Sequence, residues 1–120
     1  MDTKGLQEKV KKFIDERDWR KLQTTKDQAI SASVEANELL ELFQWETGKN
    51  LDDKILNGKN PLLFKKIKNE TADVFFSCLA IADQAGFDME EAFLSKLEEL
   101  EKRYDKHKVK GDHSKIPSGE

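Results

Sequence analysis

The sequence is poor in the residue types that support disulfide-bonded or di-iron proteins. Its 120 residues include one cysteine, Cys78, so an intramolecular disulfide is impossible and a reducing, cytoplasmic setting is expected. Only two histidines occur, His107 and His113. A ferritin-like di-iron site needs Glu-x-x-His pairs within its helices, and no histidine precedes position 107, so this class is excluded.

Long hydrophobic runs and an excess of one charge are also lacking. No apolar stretch approaches the roughly 18 residues of a membrane helix, and the first residues lack the apolar segment of a signal peptide. The 24 acidic and 21 basic residues give a net charge of −3, without a basic stripe. We therefore expect no membrane and no nucleic acid among the partners of this chain.

What the sequence does contain is helical periodicity, and no segment alternates as a strand would. Four helices are predicted, and the first covers about residues 5–20. The second is capped by Thr24 or Thr25 and ends near residue 47, before Gly48. The third runs from Asn60-Pro61 to residue 85, and the fourth runs from Asp88 to about residue 107. One short helical turn is expected in the connection 49–60. The predicted fold is an all-α four-helix bundle, with a domain over residues 1–108 and a flexible tail over 109–120.

Two acidic pairs lie inside these apolar helices. Glu35 and Glu38 are three residues apart in the second helix, and Glu70 and Asp73 are three apart in the third. At about 100° per residue, the stripe formed by Glu35, Glu38 and Glu41 borders the apolar face, and Trp45 falls on the same side of the predicted helix. The predicted third helix is apolar almost all round after Asp73, so neighbouring helices or another subunit should enclose it.

These acids have two explanations. Glutamates three residues apart usually belong to a solvated helix face, especially in a chain that is 38% charged. The alternative is a metal site, because both pairs border the core and no basic residue follows Glu38 or Asp73 at i+4. Clustered carboxylates must either hold protons or bind a cation. Hard oxygen ligands of this kind suit Mg²⁺, with Mn²⁺ as a substitute.

The motif Glu35-x-x-Glu38-Leu-x-Glu41-x-Phe-Gln-Trp45, followed by Glu70-x-x-Asp73-Val, resembles the signature of the MazG-type nucleoside triphosphate pyrophosphohydrolases. These are all-α enzymes related to the dimeric dUTPases and to dCTP pyrophosphatase. Arg-Asp-Trp at 17–19 and the Lys96, Arg103-Tyr104 pattern resemble flanking features of that family. The sequence departs from the family at Gln23, Thr25, Leu100 and Asp105, which bears on base and sugar contacts more than on the metal centre.

The resemblance implies Mg²⁺-dependent hydrolysis of a nucleoside triphosphate to the monophosphate and pyrophosphate, in nucleotide-pool sanitation. It implies metal ligation and catalysis by acidic residues, with Glu41 and Glu38 as the catalytic pair; the implied metal ligands are Glu35, Glu38, Glu70 and Asp73. The implied substrate contacts are Trp19, Trp45, Lys96, Arg103 and Tyr104. Self-association as a homotetramer, a dimer of dimers, or as a dimer is expected, because the apolar third helix would leave a large patch exposed in a monomer. The competing hypothesis is a non-catalytic helical adaptor.

Overall fold

The computed structural model describes residues 2–112, and in this range the chain forms helices and no strands, which confirms the all-α prediction. The helices are α1 (Thr3–Glu16), α2 (Thr25–Glu41), α3 (Gly48–Leu56), α4 (Pro61–Ala85), α5 (Met89–Arg103) and α6 (Lys106–Val109). Four of them are long and correspond to the four predicted helices. None of the described helices is both long and apolar enough to span a bilayer.

Local sequence signals set most helix ends. The Thr24 hydroxyl accepts a hydrogen bond from the Asp27 backbone amide, and the Asp27 carboxylate accepts one from the Thr24 amide, so α2 begins with a capping box. Asn60 caps α4, with Pro61 at its first position. Gly86 ends α4 in the left-handed region at φ 83°, which a glycine adopts without steric cost. These three ends confirm the sequence prediction, as does the Asp88 cap of α5.

The predicted continuation of α2 to residue 47 is wrong. The helix ends at Glu41, and the next residues form turns in which the Phe43 and Gln44 amides both donate to the Leu40 carbonyl. Gly48 does not stop a helix; it is the first residue of α3. The reason is Thr47, whose hydroxyl accepts the Asn50 amide at 3.2 Å and so starts a new helix of nine residues, longer than the single turn expected here.

Two other helices also end earlier in the chain than predicted. Helix α1 ends at Glu16 instead of residue 20, and α5 ends at Arg103 instead of residue 107, with the short α6 after it. Helix α6 crosses the predicted boundary between domain and tail at 108/109, and residues 113–120, with His113, lie outside the described residues. The division into domain and tail therefore stays a prediction.

Helix α4 is the central element, and both α1 and α2 pack on it in the antiparallel direction. Gln7, near the start of α1, donates to the Phe87 carbonyl just beyond the end of α4, whereas the Phe13 ring, six residues further along α1, meets Phe76. Between these contacts lies the main core cluster of Val10, Ile14, Leu79 and Ala80. Helix α5 packs against α1 and buries none of its residues fully.

Candidate functional site

The acidic residues come together because α2 and α4 pack with their acid-bearing faces toward each other. One carboxylate oxygen from each of Glu35, Glu38 and Glu70 lies within 4.8 Å of the other two. Three of the four predicted metal ligands are therefore neighbours. Glu38 is exposed, whereas Glu35 and Glu70 are half-buried.

The two half-buried carboxylates are incompletely satisfied. The Oε2 atoms of Glu35 and Glu70 are both shielded from solvent and have no hydrogen-bond partner among the described residues. A buried carboxylate oxygen without a partner carries a large desolvation cost. In a native protein such an atom calls for an ion, a proton or ordered water.

The charge state of the cluster follows from the same crowding. Burial, and then the negative charge of Glu38, raise the pKa of Glu35 above its usual range. Burial raises the pKa of Glu70 as well, with the charges of Glu38 and Asp73 adding to the effect. Without a cation, these carboxyl groups therefore hold their protons to higher pH than isolated glutamates do.

The donor set fits a hard divalent cation. All three grouped residues offer carboxylate oxygens, there is no sulfur or imidazole among them, and Glu35 and Glu70 each keep one unpartnered oxygen. Oxygen-only ligation is the preference of Mg²⁺ and Mn²⁺, and Zn²⁺ sites more often use nitrogen and sulfur. Glu35, Glu38 and Glu70 are the residues that would hold the ion.

Asp73 and Glu41 lie at the margin of this group. Asp73 is exposed, is not one of the three grouped carboxylates, and acts on Glu35 and Glu70 through its charge. Glu41 is the last residue of α2, is exposed, and its charge contributes to the raised pKa of Glu70. Both are therefore close enough to the cluster to influence it electrostatically.

Trp45 does not lie on the acidic face of α2, because that helix has already ended at Glu41. The indole lies in the turn between α2 and α3 and is 86% exposed, more than any other large hydrophobic side chain described. The helical-wheel placement of Trp45 was thus wrong. Its exposure is nevertheless what an unfilled stacking surface would show, since burying a large aromatic ring is ordinarily favourable.

Trp19 lies in the connection between α1 and α2 and is held there by a Schellman motif. The Trp19 amide donates to the Ile14 carbonyl at 3.2 Å, and the Asp18 amide donates to Asp15 at 3.1 Å. Asp18 occupies the left-handed position of the motif at φ 58°. The Trp19 ring meets Phe13 edge to face at 5.7 Å, and 39% of the residue remains exposed.

Of the three predicted substrate contacts near the C-terminus, the two cations pair with an acid of their own helix and not with the acidic cluster. Lys96 and Arg103 are exposed on α5 and both pair with Glu99, at 3.2 and 2.5 Å. Tyr104 follows α5 as its cap residue, is half-buried, and lines a cavity of about 400 Å³ together with the residues of α6.

Two buried polar residues on the same helix interface were missed by sequence reasoning. Gln28 is 6% exposed and Ser77 is 4% exposed. Gln28 precedes Glu35 by seven residues and Ser77 follows Glu70 by seven, so both lie two turns from the acids on the same helix faces. The Gln28 amide donates to the Gln23 side-chain oxygen at 2.8 Å. The signal in the sequence was the seven-residue spacing, because a polar residue seven positions from a core-facing acid lies on the same face of its helix.

The sequence of this chain is similar to those of curated dCTP pyrophosphatases. The chain is 28% identical over 110 residues to human dCTP pyrophosphatase 1 and 26% identical to the bovine protein of the same name. The aligned part covers 89% of this chain and 63% of each relative. The chain thus spans under two thirds of the length of the curated relatives it matches.

A solved structure and a family model also match this chain. The crystal structure of a pyrophosphatase from Archaeoglobus fulgidus superposes with a TM-score of 0.70 at 33% identity, covering 83% of this chain and 89% of that one. The MazG-like family model matches residues 30–116, a range that contains both acidic pairs. An all-α chain with a carboxylate cluster between its two longest helices, matched over most of its length by that model, belongs to the MazG-like family.

Proposed function

We propose that this protein is a Mg²⁺-dependent nucleoside triphosphate pyrophosphohydrolase, which converts a (d)NTP to the monophosphate and pyrophosphate in the sanitation of nucleotide pools. The observation that carries the proposal is the grouping of Glu35, Glu38 and Glu70 with two buried, unpartnered oxygens. A structural adaptor has no use for such a cluster, because like charges placed together at a helix interface reduce its stability.

The chemistry is a hydrolysis that needs no covalent nucleophile. The three glutamates, with Asp73 as a further ligand, would hold a divalent cation, which would supply positive charge against the phosphate oxygens. Glu38 contributes both to ligation and to the electrostatics of the reacting phosphate. Glu41 lies at the end of the acidic stripe and accepts the proton of the attacking water as general base.

The base is expected to stack on tryptophan. Trp45 offers an 86% exposed indole four residues beyond the end of α2, the helix that carries Glu35 and Glu38, and Trp19 offers a partly exposed one. Stacking on an aromatic ring contributes about 1–3 kcal/mol per base and tolerates different bases. Lys96, Arg103 and Tyr104 stay candidate phosphate and sugar contacts, and the two cations must exchange Glu99 for a phosphate oxygen to act in this way.

The first substrate to test is dCTP. The curated relatives are dCTP pyrophosphatases, and the archaeal protein is a pyrophosphatase. At 26–28% identity the base preference of a relative does not transfer by itself. A panel of all common and modified (d)NTPs is therefore needed beside dCTP.

We also propose that the protein assembles as a homotetramer, with a dimer as the smaller alternative. The radius of gyration is 17.4 Å, whereas a compact domain of this length has about 14 Å. A groove of about 600 Å³ between α4 and α5 is lined by apolar side chains, including Phe75, Phe93 and Leu94, which are 44–60% exposed in the single chain. A second copy of the chain would cover this face.

The decisive experiment measures pyrophosphate release from each (d)NTP with Mg²⁺, with Mn²⁺ and with EDTA. We expect release of one pyrophosphate per monophosphate formed, and no turnover in EDTA. Absence of turnover with every triphosphate would refute the enzymatic proposal. The Glu38→Gln variant then distinguishes the hypotheses, because an adaptor keeps its self-association and the enzyme loses turnover with its fold intact.

A further inference from the structure

One arginine side chain, that of Arg20, links the connection between α1 and α2 to the C-terminal end of α4. Arg20 donates from Nε to Asp15 at 2.6 Å, from one terminal nitrogen to Asp83 at 2.6 Å, and from the other to Gln84 at 3.1 Å. These acceptors belong to the last turn of α1 and the last turns of α4. No other described side chain joins three acceptors on two different helices.

The ion pair between Arg20 and Asp83 is partly shielded from solvent, which strengthens it. The Arg20 side chain is 35% exposed and that of Asp83 only 9%, so the pair is shielded from water more than a typical surface ion pair. The planar guanidinium donates in fixed directions, so three acceptors around it define its position and orientation. A lysine cannot reproduce this, because its ammonium is a single point charge.

Trp19 is the residue next to Arg20, and it is held from the other side by packing. Its ring lies edge to face on Phe13 at 5.7 Å, and Phe13 lies edge to face on Phe76 at 5.6 Å. Phe76 follows Asp73 by three residues, so it lies one turn along the same side of α4. The aromatic row Trp19, Phe13 and Phe76 therefore leads from the connection to the edge of the acidic cluster.

From this arrangement we propose that Arg20 is a positioning residue for substrate binding: its clamp on Asp15, Asp83 and Gln84 fixes Trp19 for contact with the nucleoside. This inference rests on the proposed function. Without the clamp, the Schellman motif and one aromatic contact still tether Trp19, but the connection on its C-terminal side is free to move. A displaced Trp19 loses part of its stacking contact with the base, which weakens substrate binding and so raises KM.

The test compares Arg20→Met with Lys21→Met in steady-state kinetics. Lys21 is the matched control, because it is adjacent, is 68% exposed in its side chain, and pairs only with Asp18 at 2.8 Å on its own connection. We expect Arg20→Met to raise KM for the nucleotide roughly tenfold with kcat changed by less than about twofold. Lys21→Met should leave both constants unchanged. An unchanged KM in a folded Arg20→Met protein refutes the proposal.

A double variant separates positioning from general destabilisation. If Arg20 acts through Trp19, Arg20→Met should add nothing to the KM of a Trp19→Ala protein. A purely structural role instead lowers the active fraction, and therefore kcat, in both backgrounds. Equal KM effects of Arg20→Met with and without Trp19 would overturn the assignment.

A second route covers the case in which Arg20→Met does not fold. Gln84→Ala removes one acceptor without leaving a buried charge, and should raise KM in the same direction by a smaller factor. In a Trp45→Phe background Trp19 is the only tryptophan, so its fluorescence reports the connection directly. We expect Gln84→Ala to shift the emission to longer wavelength and to increase acrylamide quenching; no change in either KM or fluorescence refutes the proposal.

These outcomes stay separate from those of the proposed function. A wild-type protein without turnover on any triphosphate refutes the proposed function. A wild-type protein that is active, with an Arg20→Met variant of the same KM, refutes only the role of Arg20.

Discussion

Glu35 of α2 and Glu70 of α4 face each other across the helix interface, and each keeps one shielded oxygen without a hydrogen-bond partner among the described residues. Two half-buried carboxylates in this position are unfavourable for the folded chain until a cation or a proton is shared between them. The interface is therefore most stable when the site is loaded, which links folding, metal binding and pH.

Removing one of these charges should stabilise the metal-free protein and abolish the response to metal. We expect Glu35→Gln to raise Tm in EDTA and to remove the increase in Tm that Mg²⁺ produces in the wild type. For wild type, ion at about 100 times Kd adds about 2.7 kcal/mol. Thermal denaturation with and without Mg²⁺ measures both effects. Glu98→Gln, an exposed acid on α5, is the control and should keep the full Mg²⁺ response.

Replacing the proposed metal ligand Glu38 should lower the enzymatic activity. A divalent cation supplies several kcal/mol of transition-state stabilisation, so we expect Glu38→Gln to lower kcat/KM on the order of 10²-fold or more. Circular dichroism should show unchanged helicity, because the Glu38 side chain is exposed. Retention of full turnover by this variant would contradict the assignment of the acidic cluster.

Glu41 should behave differently from the other acids. As a general base it contributes about 10²- to 10⁴-fold to kcat, but it is not one of the three grouped carboxylates. Glu41→Gln should therefore lose kcat while its Mg²⁺-dependent rise in Tm remains. Loss of both properties would make Glu41 a ligand instead.

The stability of the metal-free protein should depend on pH in an unusual direction. Because the pKa of Glu35 and the pKa of Glu70 are raised above the ordinary 4.5, the folded chain binds more protons than the unfolded chain between the two values. The stabilising contribution is complete below pH 4.5 and is lost as the pH rises through the raised values. In EDTA, urea unfolding should show a contribution to stability that grows from neutral pH toward 4.5, and the double variant Glu35→Gln, Glu70→Gln should lack this slope.

Replacement of Trp45 should affect binding and leave the fold unchanged. The residue is 86% exposed, so Trp45→Ala removes little packing and should change Tm by less than about 1 °C. If the base stacks on this ring, the loss of about 1–3 kcal/mol raises KM roughly 5- to 150-fold. Trp45→Phe keeps an aromatic face and should retain most of the affinity. Equal KM values for wild type and Trp45→Ala would remove Trp45 from the binding site.

A charge in the groove between α4 and α5 should prevent assembly. Phe93 is 60% exposed in the single chain and lines this groove. Phe93→Glu should lower the mass measured by light scattering by at least a factor of two, with helicity retained. Lys102→Glu, an exposed position on the same helix, is the control. A wild-type protein that is monomeric at micromolar concentration would contradict the tetramer and the dimer alike.

The sequence by itself determined the helix content, most helix starts and the identity of the acids. These features are local: a hydroxyl or carboxamide such as that of Thr24 or Asn60 satisfies the first amides of its own helix, and Gly86 can adopt the left-handed conformation without steric cost. The i, i+3 spacing of Glu35 and Glu38 likewise needs no tertiary information. The prediction from local signals was wrong at Thr47-Gly48, where two signals compete. A threonine cap predicts that a helix begins there, whereas a glycine predicts that a helix ends there.

The tertiary structure decided which distant residues meet. The packing of α2 on α4 brings Glu70 to Glu35 and leaves Asp73 at the margin, and it buries Gln28 and Ser77 two turns away. The contact of Arg20 with Asp83 spans 63 positions and has no local signal in the sequence. Such contacts depend on the relative placement of whole helices, which is set by the sum of many weak packing interactions and not by any single residue pattern.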